Sequence, residues 1–443
     1  MSVTIEVVND PGATPDDRVG ALRRWVDAGN DFPPLTLESN NHIHTIYSFS
    51  PYTPAMACLR GREAGLQVVG SVDHDSVAAA AEMRDAGSIL GMGVVTGFEC
   101  RVMLHSAEEV EQGRAPFADR KVNNPDSEGV AYMTVQAIPA RSRQAAEDFL
   151  RPIRAARLER TRRMTEGANK ILAALGAPTM DFESDVVGIS QFASGGTITE
   201  RHLLYAMSEA LIACFGRGDA LVEGLQKMGV GIPGPLRAVL ADPGNLFLPH
   251  DLLGLLKAEY LERFYIQPER MVHGGELPDA RTVVEFALRI GAIPCYAYLG
   301  DVSASPTGDK RAEAFEDSYL DELVAYLRNL GFPAITFMPP RNTAAQLGRI
   351  SALADAHDMI QVSGVDINQP RQVFSCPELA EPRFAHLGDS TWALVAHEVL
   401  SDADPRRGLL HPENPMADLP LSERISAYGE LGRQLVSDKG ATP

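Results

Sequence analysis

The segment Asn40-Asn41-His42-Ile43-His44-Thr45 decides how the rest of the chain is read. Side chains alternate across an extended strand, so His42 and His44 point the same way and both imidazoles can reach one metal ion. Alone, a His-x-His pair is as readily two hydrogen-bonded strand histidines. Three other stretches give it company. The apolar run 67–72 ends in Asp73-His74-Asp75, the run 93–96 ends in Gly97-Phe98-Glu99, and the run 359–365 ends in Asp366. Carboxylates and imidazoles placed repeatedly at the exits of buried strands are what a metal site on the C-terminal rim of a barrel requires.

Working outward, 54–64 reads as a helix closed by Gly65, 66–72 as a strand, 77–86 as a helix and 94–98 as a strand. This βαβαβ rhythm predicts a parallel sheet with helices outside. It breaks after Arg101: 106–126 is polar and reads as a loop, and 130–138 as a strand. From 143 to 265 helical patterns dominate, at 150–175, 202–215 and 251–265, with a Gly/Pro-rich stretch at 231–235. Helices at 280–290, 320–330, 343–357 and 390–400 then alternate with strands at 292–297, 334–338 and 359–364. The expected organisation is an N-terminal extension (1–35, with a helix at 18–28), a first barrel part (36–142), a mainly helical insertion or lid (143–270), a second barrel part (271–400) and a C-terminal extension (401–443).

At 443 residues the chain can bury one large core with an insertion, or form two domains. Its 45% hydrophobic and 22% charged residues are those of an ordinary globular protein. A formal net charge of −19 argues against a nucleic-acid polymer as partner, because phosphate-backbone binding needs a basic surface. A small phosphorylated ligand stays compatible, since metals and a few arginines reverse the sign locally. The cysteines (Cys58, Cys100, Cys214, Cys295, Cys376) form no CxxC pair, so a reduced, cytoplasmic setting is expected. No signal peptide is expected from the opening residues, and no run approaches the roughly 18 apolar residues of a membrane span.

The order and spacing of His42-Ile43-His44-Thr45, Ser48, Pro51, Asp73-His74-Asp75 and Gly97-Phe98-Glu99 resemble the PHP (polymerase and histidinol phosphatase) superfamily of metal-dependent phosphoesterases. The likeness extends to Arg201-His202, 291–294 and 363–366, and spans 36–105, 195–205 and 280–370. It implies an α/β fold, a distorted (β/α)7 barrel of the PHP type with a largely helical insertion. It also implies divalent metals on the rim. His42, His44, Glu99 and Asp366 would hold the first, Glu99 would bridge to a second shared with His202, and His74 belongs to a third position. A hydroxide bridging the first two would attack phosphorus, with the metals lowering the pKa of the attacking water.

The sequence departs from that pattern at three places. Phe49 stands where the family has Asp, Asp366-Ile367-Asn368 where it has Asp-x-His, and Ala297-Tyr298-Leu299 where it has Ala-His-Pro. One or two divalent ions (Zn, Mn or Fe) are therefore expected rather than three, with Tyr298 completing the second site through its phenolate. His74 is either a third-site ligand or a supporting and phosphate-binding group. Asp73 and Asp75 are ligands or supporting turn residues. Arg341 follows a predicted strand, where its guanidinium can clamp a phosphate or pair with a neighbouring loop. The six arginines in 151–163 read as a solvated helix face, and His105 as structural. The expected activity is hydrolysis of a small phosphate ester, a nucleotide or sugar phosphate. The alternatives are a PHP-like barrel that has lost hydrolysis and serves as a binding or regulatory module, or one that hydrolyses a non-phosphate bond.

Overall fold

Short runs of aliphatic residues build seven strands: β1 (Ser39–Ile43), β2 (Val68–His74), β3 (Gly93–Met103), β4 (Val130–Gln136), β5 (Ile293–Ala297), β6 (Ala334–Phe337) and β7 (Ile360–Ser363). The computed structural model describes residues 2–124, 126–302 and 314–440. In it the strands form a single sheet in chain order, curled into a nearly closed α/β barrel. Helices α1 (Ser2–Val8) and α2 (Pro15–Asp27) precede the barrel, and α3 (Pro54–Glu63) and α4 (Ala80–Leu90) connect the first three strands. The short α5 (Ala107–Glu111) follows β3. Between β4 and β5 come α6 (Arg143–Ala174), α7 (Glu200–Phe215), α8 (Asp219–Lys227), α9 (Gly234–Ala241), α10 (Leu248–Glu259) and α11 (Ala280–Arg289). The chain ends through α12 (Leu320–Leu330), α13 (Ala344–Ala356), α14 (Ala385–Ala403) and α15 (Leu421–Gly440). Among the described residues no helix is long and apolar enough to cross a membrane.

The sheet is not parallel throughout, as the rhythm predicts. β4 runs antiparallel to both β3 and β5, while the other neighbours are parallel. A parallel neighbour needs a crossover that carries the chain back to the far end. The β3–β4 connection holds only the five-residue α5, so the chain turns at the rim and comes straight back. Pairing with β4 also extends β3 to Met103, which places Glu99 in the body of the strand rather than at its exit. Glu99 still stands opposite the last residue of β2, His74. Two smaller differences lie outside the sheet: α1 occupies what reads as a polar preface, and α5, capped reciprocally by Ser106 and Glu109, occupies what reads as loop.

The barrel closes where β1 meets the segment behind β7, largely through side-chain amides. Asn40 Oδ1 accepts the Val365 N–H at 2.8 Å and its Nδ2 donates to the Val365 carbonyl at 3.0 Å. Asn41 Nδ2 donates to the Ser363 carbonyl at 2.9 Å and to Thr391 Oγ1 at 2.8 Å. Backbone bonds from His44 to the Ile367 carbonyl (2.9 Å) and from Ile367 to the His42 carbonyl (3.1 Å) complete the seam. Gly364 permits the approach, since a Cβ there would lie 2.6 Å from His42 Cβ.

Because β4 ends at the bottom of the barrel, α6 must climb the whole wall to return to the rim. Its 32 residues span roughly 48 Å at 1.5 Å each. Its first turns pack Ala146, Leu150 and Ile153 into the barrel core, and its last turns pack Met164, Ala168 and Leu172 into the core shared with α7, α8 and α10. Arg154, Arg157 and Arg160 lie between, one face of the helix and all buried. This corrects the reading of the arginine run as solvated: only its other members, Arg151, Arg162 and Arg163, face outward. Arg154 pairs with Glu147 on its own helix, but the acids that accept Arg157 and Arg160 come from remote stretches (Asp75, Glu200, Glu276), which sequence spacing does not bring together.

Near the end of β5, the fully buried Glu316 accepts the Leu299 N–H at 2.8 Å through Oε1, while its Oε2 has no hydrogen-bond partner among the described residues. Burial pushes its carboxyl up to about 7, from 4.5. Between those values the native state keeps a proton that the unfolded chain has released, so stability falls as pH rises through this window and levels off above it. Glu316→Gln keeps the accepted bond and removes the ionisation. It should stabilise the protein by about 1–3 kcal/mol at pH 8 and have little effect at pH 4, read from thermal melts. Equal shifts at both pH values would show that Glu316 titrates normally.

Candidate metal centre

His44 sits one residue past β1 and is oriented from behind. Asp73 accepts hydrogen bonds from the Thr45 N–H (2.6 Å), Thr45 Oγ1 (2.6 Å) and Ser48 Oγ (2.7 Å). With its hydrogen given to Asp73, Ser48 Oγ can only accept from His44 Nδ1, 3.3 Å away. That bond puts the ring proton on Nδ1 and leaves the Nε2 lone pair facing inward. Asp73 is thus a supporting residue, and burial raises its carboxyl to about 6 against the pull of those three bonds.

Around His44 Nε2 the other groups converge. Asp366 Oδ1 is 3.4 Å away and Glu99 Oε2 3.8 Å, while His42 Nε2 lies 3.5 Å from Glu99 Oε1. Two ligand atoms each about 2.1 Å from an ion at tetrahedral angles are about 3.4 Å apart, so this spacing matches what one ion requires. His42, His44 and Asp366 form one group able to hold a metal, and His44, His74 and Glu99 a second that shares His44. The β2–β3 register carries His74 to Glu99, Nδ1 to Oε2 at 3.0 Å, yet His74 Nδ1 is buried without a hydrogen-bond partner. Asn368 Nδ2 donates to Asp366 Oδ1 at 2.6 Å, so the residue standing where the family has a histidine steadies the neighbouring carboxylate.

Electrostatics agree with this donor set. Burial holds the His42 imidazole below its usual range, His44 at about 3 and His74 far down, with the charge of Asp366 opposing the effect at His42 and His44. Neutral imidazoles are the form that ligates. Burial, with Asp366 and Asp75 adding repulsion, pushes the Glu99 carboxyl well above its usual range. A divalent cation among these groups reverses that field and satisfies the orphaned His74 nitrogen, so the residues present fit a metal.

Other expected residues stand apart from the two groups. His202 occupies the third position of α7 as part of a capping box, its Nδ1 accepting the Thr199 N–H at 3.0 Å. The neutral ring then carries its proton on Nε2, the state of a hydrogen-bond donor rather than of a ligand. Tyr298 donates its phenolic hydrogen to Asp317 Oδ1 at 2.5 Å, and burial with that bond pushes its ionisation up, the reverse of what a phenolate ligand needs. Arg341 follows β6, with Nε donating to the Leu299 carbonyl at 3.2 Å. Phe49 packs against the rings of His202 (5.0 Å), Tyr205 and His250 (both 5.9 Å). His105 is structural in its contacts: its Nε2 accepts the Phe117 N–H and its Nδ1 lies 2.8 Å from the Tyr326 hydroxyl.

Sequence reasoning gave Arg201 no role of its own. Its charge depresses His44, His74 and His250 together, and its Nη1 is buried without a hydrogen-bond partner. The only signal in the sequence is its place beside His202. On the His42 side, a narrow cleft of about 20 Å³, room for about one water molecule, reaches between the ends of β5, β6 and β7.

An α/β barrel with a histidine–carboxylate cluster on its rim is thus in place. Two solved structures are similar to it. One, described as a metal-dependent phosphoesterase from Bifidobacterium adolescentis, has 18% identity and a TM-score of 0.47 over 77% of this chain and 92% of that one. The other is an amidohydrolase from Chromobacterium violaceum with bound sulfate and no metal, with 16% identity and a TM-score of 0.47 over 76% of this chain and 90% of that one. No family model and no curated protein matches the chain. At these scores the function is read from the site's own geometry.

Proposed function

We propose that the chain is a divalent-metal-dependent hydrolase of the PHP type, acting on a phosphate ester of a small metabolite such as a nucleotide or sugar phosphate. The observation that carries this is the convergence of His42, His44, Glu99 and Asp366 at contacts of 3.4, 3.5 and 3.8 Å. These four residues would hold the ion. A bound divalent metal supplies Lewis acidity and makes water a nucleophile near neutral pH. Ser48 and Asp73 keep His44 turned inward, and Asn368 steadies Asp366. Glu99 Oε2 and His74 Nδ1, 3.0 Å apart, form a pair that can carry a proton or join in holding a second ion. Arg201 meets the negative charge of the phosphate, and Arg341 is the candidate to do so from the β6 side.

Elemental analysis of the purified protein should give one to two equivalents of Zn, Mn or Fe per chain, a number set by the two overlapping groups. Prolonged chelation should abolish phosphate release from a panel of nucleoside and sugar monophosphates, and Mn or Zn should restore it. Metal-replete protein that cleaves amides but no phosphate ester would overturn the substrate class. Failure to take up metal at all would favour the binding-module alternative.

A further inference from the structure

Six ionic side chains are buried together between α6 and the barrel rim: Arg101, Arg157, Arg160, Asp75, Glu200 and Glu276. Arg157 Nη1 is 2.7 Å from Asp75 Oδ2 and its Nη2 is 2.9 Å from Glu200 Oε2. Arg101 reaches Glu200 at 3.1 Å and pairs with Glu276, and Arg160 holds Glu276 at 2.8 Å and pairs with Glu200. The three positive and three negative charges cancel, so the cluster has no net charge to offer an outside anion. A packed apolar seam would join two layers at least as well as a buried ionic one. Stability alone therefore does not account for this choice of residues.

What the cluster touches is informative. Asp75 follows His74, Glu200 precedes Arg201, and Arg101 lies two residues beyond Glu99 on the same face of β3. Asp75 is held at all of its polar groups. Its N–H donates to the Glu99 carbonyl at 2.8 Å, its own carbonyl accepts Arg154 Nη1 at 3.0 Å, and its carboxylate accepts Arg157. Its φ of +50° lies in the left-handed region, uncommon outside glycine though more accessible to Asp than to most residues. His42 and His44, by contrast, are set by the seam and by Asp73, with no contact to α6 in their support.

We propose that Arg157 is a positioning residue: by gripping Asp75 and Glu200 at once, it sets His74 against Glu99 from the helical layer. This rests on the reading of the cluster as a metal centre. It divides that centre into a half fixed within the barrel (His42, His44, Asp366) and a half, His74, fixed by α6.

The test uses the full chain with 13Cε1-labelled histidine, the His74 and His42 resonances being assigned by single His→Asn variants. In metal-free protein at constant pH, Arg157→Gln should shift the His74 resonance and leave that of His42 in place. Asp75→Gly, whose glycine accepts the positive φ, should do the same while removing only one contact. Arg157→Lys restores the charge but not the two-sided grip, so it should recover the melting temperature without returning His74 to its original shift. A merely structural role would restore both. Co(II) titration should show at least tenfold weaker uptake by the variants in the equivalent that depends on His74. If Arg157→Gln fails to fold, Asp75→Gly decides. An unmoved His74 resonance in a folded variant overturns the proposal. A parent protein that binds no Co(II) would refute the metal reading separately, and the His74 resonance would still decide this one.

Discussion

Replacing His44 by alanine should strip the protein of metal and lower hydrolysis roughly a thousandfold or more, well beyond the 10–100-fold typical of losing a supporting contact. His44 is the one residue common to both candidate ligand groups, and its Nε2 lies 3.4 Å from Asp366 and 3.8 Å from Glu99. Among the described residues its side chain makes no hydrogen bond to the barrel backbone, so circular dichroism of the metal-free variant should match that of the metal-free parent. Metal analysis and initial rates on the same preparation check both halves of the expectation. Unchanged hydrolysis by a folded His44→Ala protein would rule out the proposed centre.

Arg201→Ala should lower kcat/KM by about a hundredfold or more while leaving metal content unchanged, because a charge-assisted contact to a developing negative charge in a dry site is worth several kcal/mol. Arg201→Lys should recover only part, since an ammonium cannot present two parallel N–H donors. Arg201 Nη1 is buried with no acceptor among the described residues, which is costly unless an anion arrives. Kinetics on one phosphate ester together with elemental analysis separate this from damage to the ion site. If kcat/KM stays within a factor of two of the parent's, Arg201 does not touch the substrate.

Much of the barrel was readable because parallel strands are buried on both faces and appear as continuous apolar runs between helices. The candidate ligands His42, His44, Glu99 and Asp366 stood out because polar residues at the ends of such runs are otherwise unfavourable. The direction of β4 was not readable. It depends on the shortness of α5, and a polar stretch such as 106–126 looks the same whether it crosses the barrel or turns back. The burial of Arg154, Arg157 and Arg160 escaped for a related reason: their three-residue spacing was visible, but Asp75, Glu200 and Glu276 meet them only in three dimensions. Arg201 was hidden as well, since a missing hydrogen-bond acceptor leaves no mark on a sequence.

The amide seam between β1 and the segment behind β7 has a thermodynamic consequence. Strands bridged by side-chain amides and a few backbone bonds part more easily than a full ladder, so this is where the cylinder should breathe first in amide exchange. His42 and His44 stand on one bank of that seam and Asp366 on the other. An ion held by all three is therefore a rivet across the weakest joint of the wall. Each tenfold rise in free metal above its dissociation constant would add about 1.4 kcal/mol against opening, so the ion of the proposed centre would also set how often the barrel comes apart.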